Sequence, residues 1–192
     1  MKKDLRHFSL LLLLAVLLVG CVGGTSSGGV GKDNSKAKIE HYVITRYFGD
    51  DASVQDFIAA QKRENTCTDI YLNDEGYIEV EANEAQREQW MNRSRQVIDG
   101  LIAKRSMQEE GYTLRVNESA DVFQVDGRKD LKIQELASDM TLILQNAEFY
   151  QIMNKMEDWS VNVSLYNHDT GEELMKIDFP EEDLNVDSEL WD

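Results

Sequence analysis

An apolar run near the start of the chain divides a short N-terminal segment, which cannot build a globular core, from the long downstream segment, which can. The run reads FSLLLLLAVLLV from Phe8 to Val19, with Ser9 as its polar member, and it follows the net basic heptapeptide MKKDLRH. A helix that spans a bilayer needs about 20 apolar residues, whereas the hydrophobic region of a secretory signal has about 7–15. The length and the basic flank predict a secretory signal, with the folded domain downstream of it.

The end of this run carries a motif for lipid attachment. Leu18-Val19-Gly20-Cys21 follows the order aliphatic, aliphatic or small, Gly or Ala, then Cys. In this it resembles the lipobox of bacterial lipoproteins. The resemblance implies a diacylglyceryl thioether on Cys21 and signal-peptidase cleavage between Gly20 and Cys21. It also implies a protein held at the bacterial cell membrane by that lipid, facing outside the cytoplasm. The alternative is an uncleaved signal anchor in which Cys21 is an ordinary thiol.

Composition limits the remaining chain. The 192 residues carry a formal charge of −16, and removal of residues 1–20 takes away a net +2 and leaves −18. So acidic a chain argues against nucleic acid and against docking on anionic lipid through a basic patch. Cys67 is the only other cysteine. A chain whose Cys21 is lipidated therefore has no intramolecular disulfide, and its domain depends on its hydrophobic core.

Four segments follow from this pattern. Residues 1–20 are the predicted signal peptide, and 21–37 hold the lipidated cysteine and the Gly/Ser-rich linker VGGTSSGGVGKDNSKA. Such a linker is a flexible coil with a root-mean-square span of roughly 20 Å. Residues 38–180 form one predicted domain. Residues 181–192, EEDLNVDSELWD, hold six acidic residues and are predicted to be a disordered tail.

The domain reads as alternating strands and helices. A β-branched and aromatic strand, a short helix capped by Ser53 and a hairpin around Asn73-Asp74-Glu75-Gly76 come first. A long helix follows, with Asn83 and Gln86 as its capping box. Its expected inward stripe is Trp90, Met91, Val97, Ile98, Leu101 and Ile102. A broken strand, a second long helix from about Lys129 to Asn154 and a second hairpin up to Pro180 complete the order. The expected inward stripe of the second helix is Leu136, Met140, Ile143, Ala147 and Tyr150.

These elements predict an α+β fold. Strands with one apolar face need one covering layer, and two long amphipathic helices provide it. We therefore expect a two-layer sandwich in which a mainly antiparallel sheet is covered on one face by both helices. The strand–helix–hairpin order occurs twice, around 39–82 and 112–179, which leaves a duplication open.

A second resemblance rests on the two hairpins. The turns in LNDEGYIEV and YNHDTGEEL, with a long charged helix between them, look like those of small uncharacterised lipoproteins of Gram-positive bacteria. The similarity covers most of residues 66–179. It implies no catalytic residues.

Candidate chemistry in the sequence is sparse. A thiol enzyme would need Cys67 with His41 or His168, and Cys67 is expected to share a partly exposed hairpin face with Asp69 and Tyr71. No calcium-loop, zinc, phosphate-loop or serine-nucleophile motif occurs, so neither a catalytic residue, a metal ligand nor a cofactor is predicted. The sequence favours a non-enzymatic binding or interaction module whose partner is an envelope protein or an extracellular ligand. The alternatives are a small envelope enzyme built from scattered carboxylates or Cys67, and an accessory role in a membrane complex.

Overall fold

The computed structural model describes residues 38–106, 111–156, 158–186 and 190. The predicted signal peptide, Cys21 and the linker therefore lie outside the described residues. The elements in chain order are β1 (Glu40–Ile44), α1 (Asp51–Glu64), β2 (Asp69–Leu72), β3 (Ile78–Ala82), α2 (Glu84–Ser106), β4 (Tyr112–Val116), β5 (Val122–Gly127), α3 (Ile133–Met153), β6 (Val161–Asn167) and β7 (Glu173–Phe179).

Three strands make the first sheet, in the order β1-β3-β2, and every pair is antiparallel. β3 is central, and its alternation is strict because Ile78, Val80 and Ala82 are buried while Glu79 and Glu81 point outward. β1 and β2 are the two edges. The predicted hairpin thus forms, and β1 adds to its far strand.

Four strands make the second sheet, in the order β4-β5-β6-β7. β5 and β6 are parallel, and the outer pairs are antiparallel. A parallel pair needs a long crossover, which α3 supplies between β5 and β6. β6 is the most buried strand, with Val161, Val163, Ser164 and Leu165 all inaccessible.

The predicted α+β class is confirmed, whereas the single sheet expected from the sequence is two sheets. Alternation of apolar residues determines which face of a strand is buried, but it does not determine its partner or its direction. The two strand–helix–hairpin units also differ in topology. In the first, the strand before the helix pairs antiparallel with the far hairpin strand, and in the second it pairs parallel with the near one. This difference argues against a simple duplication.

The helix starts follow capping chemistry. Asn83 and Gln86 form the predicted capping box, in which each side-chain oxygen accepts the other residue's backbone N–H at 3.0 Å. The shorter α1 is capped by Asp50, where the sequence predicted Ser53. Asp50 Oδ1 accepts from the backbone N–H of Ser53 at 2.8 Å and from its hydroxyl.

The inward face of α2 is only partly the predicted stripe. Trp90 and Ile98 are buried, but Val97 is 41% exposed. Arg105, which is not part of the predicted apolar stripe, is only 3% exposed. Its guanidinium binds Asp139 and Glu135 on α3 and lies over the Tyr112 ring. Polar side chains can therefore face a helix–helix contact when their charges are paired.

The core is centred on α3, which packs against α2 and contacts β1. Of its predicted inward residues, Leu136, Met140, Ile143 and Ala147 are fully buried, and Tyr150 is partly buried. The helix begins at Ile133, several residues after the predicted start at Lys129. It is buried over much of its circumference, including Gln145, Glu148 and Gln151. Each of these polar side chains has hydrogen-bond partners.

The chain after β7 continues along the domain. Leu184, Val186 and Leu190 are partly buried and pack against the core. Glu182 accepts the backbone N–H of Asp178 through Oε2 at 2.8 Å, and its own N–H donates to the Asp178 carbonyl. The prediction of a disordered tail did not include these contacts between tail residues and the core.

Candidate functional site

The outer edge of β1 exposes backbone hydrogen-bonding groups. The carbonyl of Glu81 accepts the N–H of Thr68, just before β2, and the carbonyl of Tyr77, just before β3, accepts the N–H of Asn73, just after β2. The odd-numbered residues of β3 therefore direct their backbone groups toward β2. Glu79 and Glu81 lie opposite Val43 and His41 in the register. Glu79 and Glu81 thus form non-hydrogen-bonded pairs with Val43 and His41. In an antiparallel ladder, both residues of such a pair direct their N–H and C=O groups away from each other's strand. His41 and Val43 therefore form the free edge of β1, and no described residue binds these four groups.

A cleft of about 520 Å³ runs along this free edge. It lies between β1 and the C-terminal end of α3. Its lining residues are Glu40, His41, Tyr42, Val43, Thr45, Ile152, Lys155, Met156 and Trp159. Ile152 and Trp159 are nearly buried, while Val43 and Met156 are each 37% exposed. The cleft thus combines an apolar floor with one row of backbone donors and acceptors.

A charged cluster closes one end of the cleft. The carboxylate of Glu40 accepts from Lys155 Nζ, Lys38 Nζ and the Tyr42 hydroxyl, each at 2.7 Å. The hydrogen bond from Lys155, followed by those from Lys38 and Tyr42, lowers the pKa of Glu40 to about 2. Burial, and then the contact with Glu40, raises the pKa of Tyr42 to about 12. This end is therefore a fixed ion pair at ordinary pH.

A buried carboxylate closes the other end. Glu148 Oε1 accepts from the backbone N–H of Thr45 at 2.9 Å, from that of Arg46 at 2.8 Å and from the Thr45 hydroxyl at 3.2 Å. Glu148 Oε2 accepts from Gln145 Nε2 at 3.1 Å. We call this set of bonds the Glu148 clamp. Burial raises the pKa of Glu148 to about 7, although every hydrogen bond to it acts in the opposite direction.

The clamp connects the cleft to α3. Trp159 Nε1 donates to Thr45 Oγ1 at 3.0 Å, so the indole at the cleft wall is held by the residue that Glu148 binds. Gln145 accepts from the backbone N–H of Phe48 at 2.9 Å and donates to the carbonyl of Arg46 at 3.1 Å. The segment after β1 is thereby fastened to α3 through its backbone.

A smaller polar pocket of about 260 Å³ lies at the carboxyl ends of the parallel strands β5 and β6. His168 Nδ1 is 3.2 Å from Asp126 Oδ1, and His168 Nε2 is 3.3 Å from an Arg128 amino nitrogen. A guanidinium can only donate, so in this arrangement Nε2 accepts and Nδ1 donates to Asp126. Arg115 and Tyr166 also line the pocket.

Cys67 is buried, whereas the sequence placed it on a partly exposed hairpin face. The alternation of β2 begins only at Asp69, so it does not extend to a residue in the turn between α1 and β2. Cys67 is 7% exposed. Burial raises the pKa of its thiol, which opposes formation of a nucleophilic thiolate. The two histidines bind carboxylates instead, His41 to Glu79 at 2.8 Å and His168 to Asp126.

Metal ligands do not converge in the part of the chain that the structure describes. No group of three or more His, Cys, Asp or Glu side chains there could hold a metal ion. Two carboxylates of the first sheet's outer face are instead bound to neighbours, Glu79 to His41 and Tyr71, and Asp69 to Lys62.

The predicted lipid attachment residue Cys21 and the cleavage position Gly20 lie outside the described residues. Within the described ranges, no helix has the length and apolar character needed to cross a membrane. No protein-family model, curated protein or solved structure matches this chain. The free edge of β1 and the Glu148 clamp, neither of which the sequence predicted, therefore rest on geometry alone.

Proposed function

We propose that this protein is a lipid-anchored, extracytoplasmic envelope protein whose domain is a non-enzymatic binding module. The complete lipobox at Leu18–Cys21 supports lipid attachment at Cys21 and cleavage after Gly20. Two or three acyl chains on one cysteine make detachment slow, because each buried methylene contributes about 0.8 kcal/mol. The acidic, disulfide-free domain is then held close to the outer membrane face by its linker and presents the cleft to an envelope partner.

One observation carries the binding role. The backbone groups of His41 and Val43 line an apolar cleft without a partner among the described residues. The charged side chains around the cleft are paired, as Glu40 is with Lys155, and the Thr45 hydroxyl, which contacts Glu148, is held in place by the Trp159 indole. Such a lining is suited to recognition rather than to bond cleavage.

The experiment is metabolic labelling of cells with radioactive palmitate. The wild-type chain is expected to take up the label. It should also be degraded by protease added to intact cells whose cell wall the protease can cross. Cys21→Ala should abolish the label, and Cys67→Ala is the matched control that should keep it. Equal labelling of the wild type and Cys21→Ala would contradict the proposal.

A small envelope enzyme is the second candidate, and the pocket of His168 and Asp126 favours it. A histidine oriented by a carboxylate is a common general base, but here Nε2 is already engaged by Arg128. The alternative based on Cys67 is weakened by its burial. A hydrolytic turnover that disappears in His168→Ala and persists in Val43→Pro would favour this candidate.

Two finer features belong to the same proposal. The first is the two-layer arrangement, with α2 and α3 together covering one face of the sheets; the packing of α2 on β4 and of α3 on β1 supports it. The second is that an accessory role in a membrane complex would use the same cleft, with the complex supplying its occupant.

A further inference from the structure

We propose that the free edge of β1 binds an extended segment of a partner protein as a fourth strand of the first sheet, and that this segment alternates apolar and basic residues. The inference rests on the proposed function only for the location of the partner. The binding itself is a property of the domain.

The backbone provides the first argument. His41 and Val43 offer two N–H donors and two carbonyl acceptors on one edge, which is the pattern that strand addition requires. The next outward N–H, that of Thr45, is already bound by Glu148. At the other end, the ion pair of Glu40 and Lys155 marks the limit of the cleft. The geometry therefore accommodates a short segment of about five residues.

Other strand edges show how this protein protects such groups. The backbone N–H of Ile70 on β2 is bound by the Asp69 carboxylate at 2.8 Å, and that of Asp178 on β7 by the Glu182 carboxylate at 2.8 Å. Thr45 has the equivalent cap in Glu148. Within the described ranges, no side chain caps the N–H of His41 or Val43, and neither lysine, proline nor a bulge interrupts this stretch. The free edge is left open where the cleft lies beside it.

Side-chain alternation determines the composition of the segment. Alternate residues of an added strand would face the cleft floor, where Ile152, Met156 and Trp159 favour apolar partners. The remaining residues would lie beside His41 and Val43 on the outer face. Beyond β1, on the same outer face, lie the carboxylates of Glu79, which is paired with His41, and of Glu81, about 10 Å from the added strand at two strand spacings. Attraction between charges acts over this distance at low salt, and the chain carries a formal charge of −16, so basic residues fit these positions.

The test uses the full chain, purified in mild detergent, and a fluorescein-labelled, acetylated and amidated Lys-Val-Lys-Val-Lys-Val-Lys peptide. Fluorescence anisotropy should report saturable binding. The Glu-Val counterpart should bind at least about tenfold more weakly at low salt, because it meets the acidic face. Absence of binding by the basic peptide up to about 1 mM would overturn the proposal.

Methylation of the peptide amides distinguishes strand addition from general attraction. The N–H groups of alternate residues in a strand point to opposite edges. We compare two peptides, one with every valine backbone nitrogen methylated and one with every lysine backbone nitrogen methylated. One of the two should lose binding and the other should keep it. Equal effects of both methylation patterns would show that the backbone is not paired, and would overturn the proposal.

The matched chain variants are Val43→Pro and Leu72→Pro. Val43→Pro removes an outward N–H without touching the β1–β3 bonds, as proline at an edge position allows. Leu72→Pro does the same at the β2 edge of the same sheet. Val43→Pro is expected to weaken peptide binding at least about fivefold, and Leu72→Pro less than twofold.

A second pair of variants tests the proposal if Val43→Pro does not fold. Met156→Ala removes an exposed floor residue and should weaken binding, whereas Val97→Ala, an exposed change on α2, should not. Equal binding by all four variants would overturn the proposal. Concentration-dependent dimers in sedimentation that Val43→Pro abolishes would also overturn it, since the occupant would then be a second copy. Loss of palmitate labelling with peptide binding retained would refute only the anchoring.

Discussion

The Glu148 carboxylate, fully buried in α3, accepts the backbone N–H of Thr45 at 2.9 Å and so fixes the end of β1 to the core helix. The two residues are 103 positions apart in the sequence. This one contact ends the free edge, holds the residue that binds Trp159, and joins the first sheet to α3.

Glu148→Ala is expected to destabilise the chain by about 3 kcal/mol. The substitution removes the acceptor shared by the N–H groups of Thr45 and Arg46 and empties a fully buried side-chain site. Loss of hydrogen bonds to a charged group and creation of a cavity each cost roughly 1–3 kcal/mol. Glu148→Gln keeps an acceptor oxygen and should lose less. Urea unfolding at pH 7 measures both. Glu88→Ala, at an exposed position of α2, is the control. A loss below about 1 kcal/mol for Glu148→Ala would contradict the role of the clamp.

The stability of the wild type relative to Glu148→Gln should fall as pH rises. The folded pKa of Glu148 is about 7, above its ordinary value of 4.5, so the folded state holds this proton more tightly than the unfolded state. The contribution is fully present below about pH 4.5 and is lost as pH rises through 7. The difference in unfolding free energy should decrease by about 3 kcal/mol across this window. A flat difference would show that the carboxyl ionises normally.

Cys67 should behave as a structural thiol. In a Cys21→Ala background it is the only thiol, and Ellman's reagent at pH 8 should modify it at least about 100-fold more slowly in the native chain than in urea. Burial and the raised pKa both act in this direction. Cys67→Ser should keep the fold and the binding of the peptide. Rapid native modification would show instead that the thiol is accessible and reactive.

Truncation after Pro180 should lower stability by about 2–3 kcal/mol, because Leu184, Val186 and Leu190 lose their contacts with the core. At this chain length the change corresponds to a Tm lower by about 4–12 °C. Serine at these three positions in the full chain should reproduce most of the loss while keeping every charge of the tail. Calorimetry measures the Tm of the wild type, the truncated chain and the serine variant. An unchanged Tm would contradict this prediction and agree with the disordered tail predicted from composition.

Local chemistry explains which parts of the fold the sequence could predict. The hairpins follow from strict alternation around Asn73–Gly76 and Asn167–Gly171, and the α2 start follows from Asn83 and Gln86, since each depends on neighbours within a few residues. The parallel pairing of β5 and β6 depends on residues 40 positions apart and leaves no local pattern. The alternation of apolar and polar residues along the strands therefore cannot show whether they form one sheet or two.

The candidate site could not be predicted for the same reason. Glu148 is an acidic residue within the apolar sequence of α3, and that contrast was the available signal. Its meaning depends on the N–H groups of Thr45 and Arg46, which only the folded chain places beside it. An open strand edge is still less visible, because it is defined by a neighbour that is absent.

The parallel contact between β5 and β6 also has a consequence for the order in which we expect the elements to fold. The first sheet uses only residues 40–82 and can pair locally, whereas Val122 meets Asn162 across a loop that contains all of α3. Closing a loop of that length costs about 3 kcal/mol of chain entropy before any contact offsets it. We expect α3 to form and dock first, and β6 to enter the sheet afterwards. In the export that we propose, β6, the most buried strand, would therefore be among the last elements to reach the fold.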